Sequence, residues 1–183
     1  MTPAQGSGSG AASVTKSAAA RPGSSPLFDL SSIDGARRVV TRTELERYIP
    51  HRGPMALLDG IVWHSADFTR AVGIKHVRPD EFWVAGHFPS KALLPGVLMI
   101  EAGAQLACFA FNARRPKTEV IAFLRIKDAA FRGMVQPGDD LYLLVNEIKF
   151  GRRQFESEIQ GIVGGLAGRI AFDARITGMS MNA

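Results

Sequence analysis

One stretch constrains this chain more than any other: residues 86 to 105, GHFPSKALLPGVLMIEAGAQ, continuing as an apolar run to Phe111. Pro95 and Gly96 open the run. Proline favours the first turn of a helix, where its missing N–H would find no partner anyway. Between Val97 and Phe111 the polar side chains are Glu101 and Gln105. A helix that is apolar on nearly every face is a buried one. This run is too short and too rich in Gly and Ala for a good membrane span. Glu101 and Gln105, four residues apart, share one face of the helix. A buried carboxylate needs a partner or a task. The candidate partner is His87, just outside the helix entrance.

The texture around the helix is that of strands. Residues 61–64 and 68–77 flank a polar turn at Ser65-Ala66-Asp67, and Arg114-Arg115-Pro116-Lys117 ends the helix. Runs 120–131, 141–150 and 155–163 read as one antiparallel meander, with turns at Pro137-Gly138-Asp139 and Gly151-Arg152-Arg153. Gly164-Gly165 leads to a last strand over 169–177. There Ile170, Phe172, Ala174 and Ile176 alternate with Arg169, Asp173 and Arg175. Phe155, Ser157 and Ile159 alternate likewise with Glu156, Glu158 and Gln160. Such alternation means one covered face and one wet face. A long apolar helix and a mostly antiparallel sheet wrapped around it give an α+β class. Before the first strand, Thr43 is the expected cap of a short helix within 41–48.

Residues 1–28 are dominated by Gly, Ser, Ala, Thr and Pro, with Lys16 and Arg21 as the charged side chains. Such a stretch cannot bury enough apolar surface to offset its ordering entropy. The expectation is a disordered tail over 1–33 and one domain over 34–183. The tail has no secretory h-region. Its Ser content and lack of acid suit an organellar transit peptide; its scarcity of Arg and of amphipathicity counts against one. The formal net charge of +5 is too moderate for a dedicated nucleic-acid binder and suits an acidic partner. The single cysteine, Cys108, excludes an internal disulfide and is expected to be a buried thiol.

GHFP followed by PGVLMIEAGAQ resembles the signature of the β-hydroxyacyl-ACP dehydratases of the FabZ type. The resemblance extends to YIPHRGPMALLDG (48–60) and AFRGMVQPGDDL (130–141), so four blocks fall in the right order after about residue 42. It implies the hot-dog fold and dehydration of 3-hydroxyacyl-ACP to trans-2-enoyl-ACP in fatty acid or related lipid synthesis. It implies no metal or organic cofactor, an acyl carrier protein as partner, and a cytoplasmic location, with organellar import left open. It also implies a homodimer, sometimes three dimers together, in which His87 and Glu101 meet from different protomers.

The residue types fit that chemistry. Dehydration removes a proton from C2 and expels the C3 hydroxyl, which leaves poorly unless protonated. His87 suits the base, because imidazole titrates near neutral pH. Glu101 suits the acid, because a buried carboxyl holds its proton more readily than an exposed one. Gly96, at the helix entrance, offers a backbone N–H to the thioester oxygen as negative charge builds there. Phe88, Leu98 and Phe123 are candidates to line an acyl tunnel, and Leu94, Pro95, Val97 and Gln105 complete the expected substrate-contacting set. His51, in the PHR block, reads as fixing local structure. Arg132 and Lys127, beside the FRGMV block, are the expected carrier-docking residues.

Four positions depart from the family pattern. Gly53 stands where HRYP has an aromatic, Ala122 where Tyr is frequent, Ala92 where Pro is usual, and Gly103 where a large apolar residue is common. All four remove bulk, so acyl-chain preference stays open. Other function classes are an acyl-CoA hydratase or dehydratase and a non-catalytic acyl-thioester-binding protein. A FabA-type isomerase would carry Asp at position 101 and Trp at position 104.

Overall fold

The structure, a computed structural model, describes residues 25–181. Helix α2 (Gly96–Asn112) forms where the apolar run expects it, with Pro95 as its N-cap residue. From Met99 onward nearly every side chain on it is buried, including Leu106, Phe109 and Phe111. Each such large side chain contributes roughly 1.5–3 kcal/mol when fully buried. At the far end the Asn112 amide donates to the carbonyls of Tyr48 and Glu119 and accepts from the Glu119 N–H. Just beyond, Arg114 pairs with Glu147 and lies over the Phe150 ring.

A seven-stranded sheet wraps this helix: β1 (Val40–Thr41), β2 (Gly60–His64), β3 (Arg70–His76), β4 (Ile121–Phe131), β5 (Asp140–Phe150), β6 (Gln154–Val163) and β7 (Arg169–Ser180). The strand order is β1-β2-β3-β5-β6-β7-β4, antiparallel throughout. This is the α+β hot-dog arrangement. The meander is confined to β5, β6 and β7. Strand β4 pairs with β7 rather than β5, so α2 carries the chain across the sheet to the opposite edge. The sequences explain the exchange. β5 is apolar on both faces, as a central strand requires, whereas β4 carries Arg125, Lys127 and Asp128, which suit an edge.

The expected wet outer face is in part covered. Val62, Val72, Ile74, Tyr142, Leu144 and Ile162 form a second apolar cluster on it, packed by Leu27, Phe28, Leu30 and Ile33. Residues 25–33, assigned to the tail on composition, are therefore part of the folded unit. The buried Gln160 side chain holds them, accepting from the Leu27 N–H and donating to the Ser25 carbonyl. The tail expectation for 1–24 lies outside the described residues. Ile170 also joins the outer cluster, while Phe172, Ala174 and Ile176 face the helix. The pairing shifts between Gly161↔Phe172 and Ile162↔Ile170, so Ala171 is an extra residue that reverses the alternation.

The short helix α1 (Arg42–Leu45) is capped by Thr41, not Thr43. Thr41 and Glu44 form a reciprocal capping box: the Glu44 N–H donates to the Thr41 hydroxyl, and the Thr41 N–H donates to the Glu44 carboxylate.

Candidate active site

His87 stands on the loop between β3 and α2, and that loop is anchored from the core. Lys75, on the helix-facing side of β3, is buried and donates to both oxygens of Glu81 at 2.9 and 2.7 Å. Trp83 Nε1 and the Arg78 N–H donate to the same carboxylate. Burial alone would raise the Glu81 carboxyl, but these hydrogen bonds together hold it below its ordinary value. The His87 N–H then donates to the Trp83 carbonyl, and the Leu94 N–H to that of Val135. His87 Nδ1 lies 2.8 Å from the Leu93 carbonyl, so Nδ1 carries a proton and, in the neutral ring, Nε2 has the free lone pair. The next residue, Phe88, has φ of 55°, a strained conformation of the kind concentrated at functional sites.

The imidazole opens into a cleft that also contains Phe88, Leu94, Pro95, Gly96, Val97 and Phe131. A side chain at Gly96 would meet the Phe131 ring at 2.6 Å, so glycine is required for this contact. The cleft is apolar yet open: Phe88, Val97 and Phe131 are 57, 70 and 53% exposed.

Glu101 lies elsewhere in the subunit. Its cavity is lined by His51, Gln105, Cys108, Phe123 and Phe155, with Ala122 at one wall, and shares no residue with the His87 cleft. The Gln105 amide organises it. Its Nε2 donates to Glu101 Oε1 at 3.0 Å and to the Met55 carbonyl at 2.8 Å, and its Oε1 accepts from the Leu57 N–H. One side chain thus ties the helix to the HRGP loop. His51 Nε2 lies 3.3 Å from the same Glu101 oxygen. Cys108 is buried as expected; burial first, and the Glu101 charge second, push its thiol up to about 12.

A FabA-like domain model matches residues 49–174, which includes every one of these side chains. The chain belongs to the FabA-like family. Among relatives of this FabA-like chain is the 3-hydroxyacyl-[acyl-carrier-protein] dehydratase FabZ of Rickettsia africae, 34% identical over 146 residues. That match covers 77% of this chain and 96% of the relative. The enzyme of the same name from Rickettsia conorii is 33% identical over the same shares. The dehydratase heterocomplex ApeI:P from Xenorhabdus doucetiae has a similar fold, with TM-score 0.66 at 18% identity, covering 80% of this chain and 93% of that one.

The FabA-like subunit sorts the expected site residues into two groups. Phe88, Leu94, Pro95, Gly96 and Val97 gather with His87; Gln105 and Phe123 gather with Glu101. Leu98 packs partly buried against the main core and lines neither group. Of the docking candidates, Arg132 sits at the His87 cleft and forks onto Asp173, which raises its pKa; Lys127 lies 3.6 Å from Glu156. Sequence reasoning missed the Lys75–Glu81–Trp83 anchor and the approach of His51 to Glu101. The first carried a faint signal, a lysine in a strand otherwise apolar toward the helix. The second required knowing how the HRGP loop folds back. Gly53, where an aromatic is usual, has φ of 56°, a conformation open to glycine at no cost.

Proposed function

We propose that this chain is a hydro-lyase that dehydrates 3-hydroxyacyl-ACP to trans-2-enoyl-ACP, with one active site built from two copies of the chain. The observation that carries the reading is the presence on one chain of an imidazole beside a helix entrance and of a carboxyl group whose second oxygen has no hydrogen-bond partner among the described residues. Within one subunit these two groups open into different clefts, which is what a shared site requires. His87 Nε2 takes the proton from C2 of the substrate. Electron density moves onto the thioester oxygen, which the Gly96 N–H receives; such a donor is worth roughly 3 kcal/mol in a transition state. As the enolate collapses, Glu101 gives its proton to the C3 hydroxyl, which leaves as water. The proton on His87 then returns to Glu101, and the site is reset. Phe88, Leu94, Pro95, Val97, Gln105 and Phe123 contact the acyl thioester.

The exposed apolar side chains of edge strand β4, including Phe123, Leu124, Ile126 and Phe131, support burial against a second copy. A dimer, or a multiple of it, is the expected native mass. Among the described residues no helix is long and apolar enough to cross a membrane. We place the reaction in the cytoplasm, with its carrier. The test is purified protein offered 3-hydroxybutyryl and longer 3-hydroxyacyl groups, each on ACP and on CoA, followed at the enoyl-thioester absorbance. Turnover of the ACP substrates at higher kcat/KM is the expected result. Equal or faster turnover of the CoA esters would assign the chain to acyl-CoA, and no turnover of either would leave only acyl binding.

A further inference from the structure

We propose that His51 is a positioning residue, which holds the Glu101 carboxyl group so that Oε2 alone faces the substrate hydroxyl. The inference rests on the reading of Glu101 as the acid. Its basis is the arrangement around one oxygen. Gln105 Nε2 donates to Glu101 Oε1 at 3.0 Å, and His51 Nε2 stands 3.3 Å from that same atom. Among the described residues no side chain or backbone group bonds Oε2. A carboxyl group bonded at one oxygen by an amide, with an imidazole nitrogen standing against that same oxygen, is restricted in how it turns, and its second oxygen remains available for proton transfer. A contact of 3.3 Å is long, as such contacts are before substrate tightens the site.

The protonation of the imidazole follows from its other nitrogen. His51 Nδ1 is buried and has no hydrogen-bond partner among the described residues. A proton there would be a stranded buried donor, so the ring is neutral with its N–H on Nε2, facing Glu101. The ring is also not needed to hold the loop. Arg52 does that, donating to the carbonyls of Glu46, Ile49 and His51, while Gln105 fastens Met55 and Leu57. A side chain with its backbone already secured, a bare nitrogen inside and its other nitrogen 3.3 Å from the carboxyl group serves that group.

The experiment compares His51→Leu, His51→Gln and Glu101→Ala in steady-state kinetics and thermal melting. His51→Leu should lower kcat roughly tenfold or more, with KM within about twofold and melting unchanged, because misorientation of a reacting group is costly in rate. His51→Gln places an amide N–H within reach of Oε1 and should return kcat to within about threefold of wild type. Adding His51→Leu to Glu101→Ala should change the residual rate by less than about twofold, since the group it serves is gone. Wild-type kcat in His51→Leu, or equal damage in His51→Gln, overturns the proposal. Should His51→Leu fail to fold, His51→Asn decides: its amide is too short to reach Oε1, so normal kcat there overturns the proposal equally. An active Glu101→Ala enzyme would sink the acid assignment itself, whereas an inactive one beside a normal His51→Leu enzyme sinks this inference alone.

Discussion

The two halves of the site are built to different standards of completion. The Glu101 half is finished within one subunit: a carboxyl group on the middle of a buried helix, bonded by an amide that also fastens the neighbouring loop. The His87 half is finished only on one side. Its loop is anchored by a buried ion pair and its imidazole is fixed by the Leu93 carbonyl, yet the apolar side chains around it face outward. A single subunit does not leave this much apolar surface beside a reactive group without something to cover it. The difference teaches that folding both positions and encloses the carboxyl half, whereas it positions the imidazole and leaves the surroundings open for the proposed second copy to cover.

The comparison breaks or holds most visibly when the halves are separated. His87→Ala and Glu101→Ala should each lower kcat by roughly a hundredfold or more, the scale of general acid–base catalysis. Mixing the two inactive proteins under subunit exchange should then restore activity. Half of randomly exchanged dimers are hybrids with one complete site in two, so recovery should approach about a quarter of wild type. No recovery, with exchange verified by native mass, would mean that both groups act within one subunit.

Two glycines of α2 sharpen the same contrast at smaller amplitude. A Cβ at Gly96 would lie 2.6 Å from the Phe131 ring, at the residue proposed as oxyanion donor. Gly96→Ala should therefore cut kcat about tenfold or more by moving the helix start. A Cβ at Gly103 would lie 2.9 Å from Ile159 Cδ1, inside the finished core. There overpacking costs about 1–3 kcal/mol, and the better helix propensity of alanine offsets about 1 kcal/mol. Gly103→Ala should lower the melting temperature slightly and leave kcat alone. The reverse assignment, with Gly103→Ala impairing turnover and Gly96→Ala only stability, would contradict the division between the halves.

Much of this was legible before the structure because the signals were local or carried by continuous motifs. The buried helix, the strands, and the grouping of Pro95, Gly96 and Val97 with His87 are of that kind. What was not legible depends on contacts between distant segments. The position of β4 beside β7 is settled by which strand is apolar on both faces, and a meander reading treats neighbours in sequence as neighbours in the sheet. The extra residue at Ala171 turned Ile170 outward, and no period-two count contains an insertion. Residues 25–33 read as tail because four apolar side chains are too few to suggest a core; the sheet supplies the rest of it. His51 lies fifty positions from Glu101 and became visible only once the HRGP loop was seen closed over the helix by Gln105.

The smallest effect expected concerns the carrier, and it asks which half of the site receives it. Arg132 borders the His87 cleft and forks onto Asp173, while Lys127 stands near Glu156, so each cation is partly neutralised already. Lys149, Arg152 and Arg153, around the β5–β6 turn, have no acidic partner among the described residues and border a separate groove beside Phe155. Charges of this kind act mainly on association, and salt screens them over about 8 Å at physiological ionic strength. If the acyl thioester enters from the open half, Lys127→Gln with Arg132→Gln should raise KM for acyl-ACP roughly severalfold and flatten its salt dependence. Turnover of a short acyl-N-acetylcysteamine thioester, which has no acidic partner to steer, should barely change. Arg152→Gln with Arg153→Gln is the control. If that pair raises KM for acyl-ACP and the first pair does not, the carrier docks at the hairpin, and the chain must be threaded from the Glu101 side. Equal damage to the carrier-bound and the short substrate by Lys127→Gln with Arg132→Gln would mean that these cations support the strand edge, through Asp173 and Glu156, and have no part in docking.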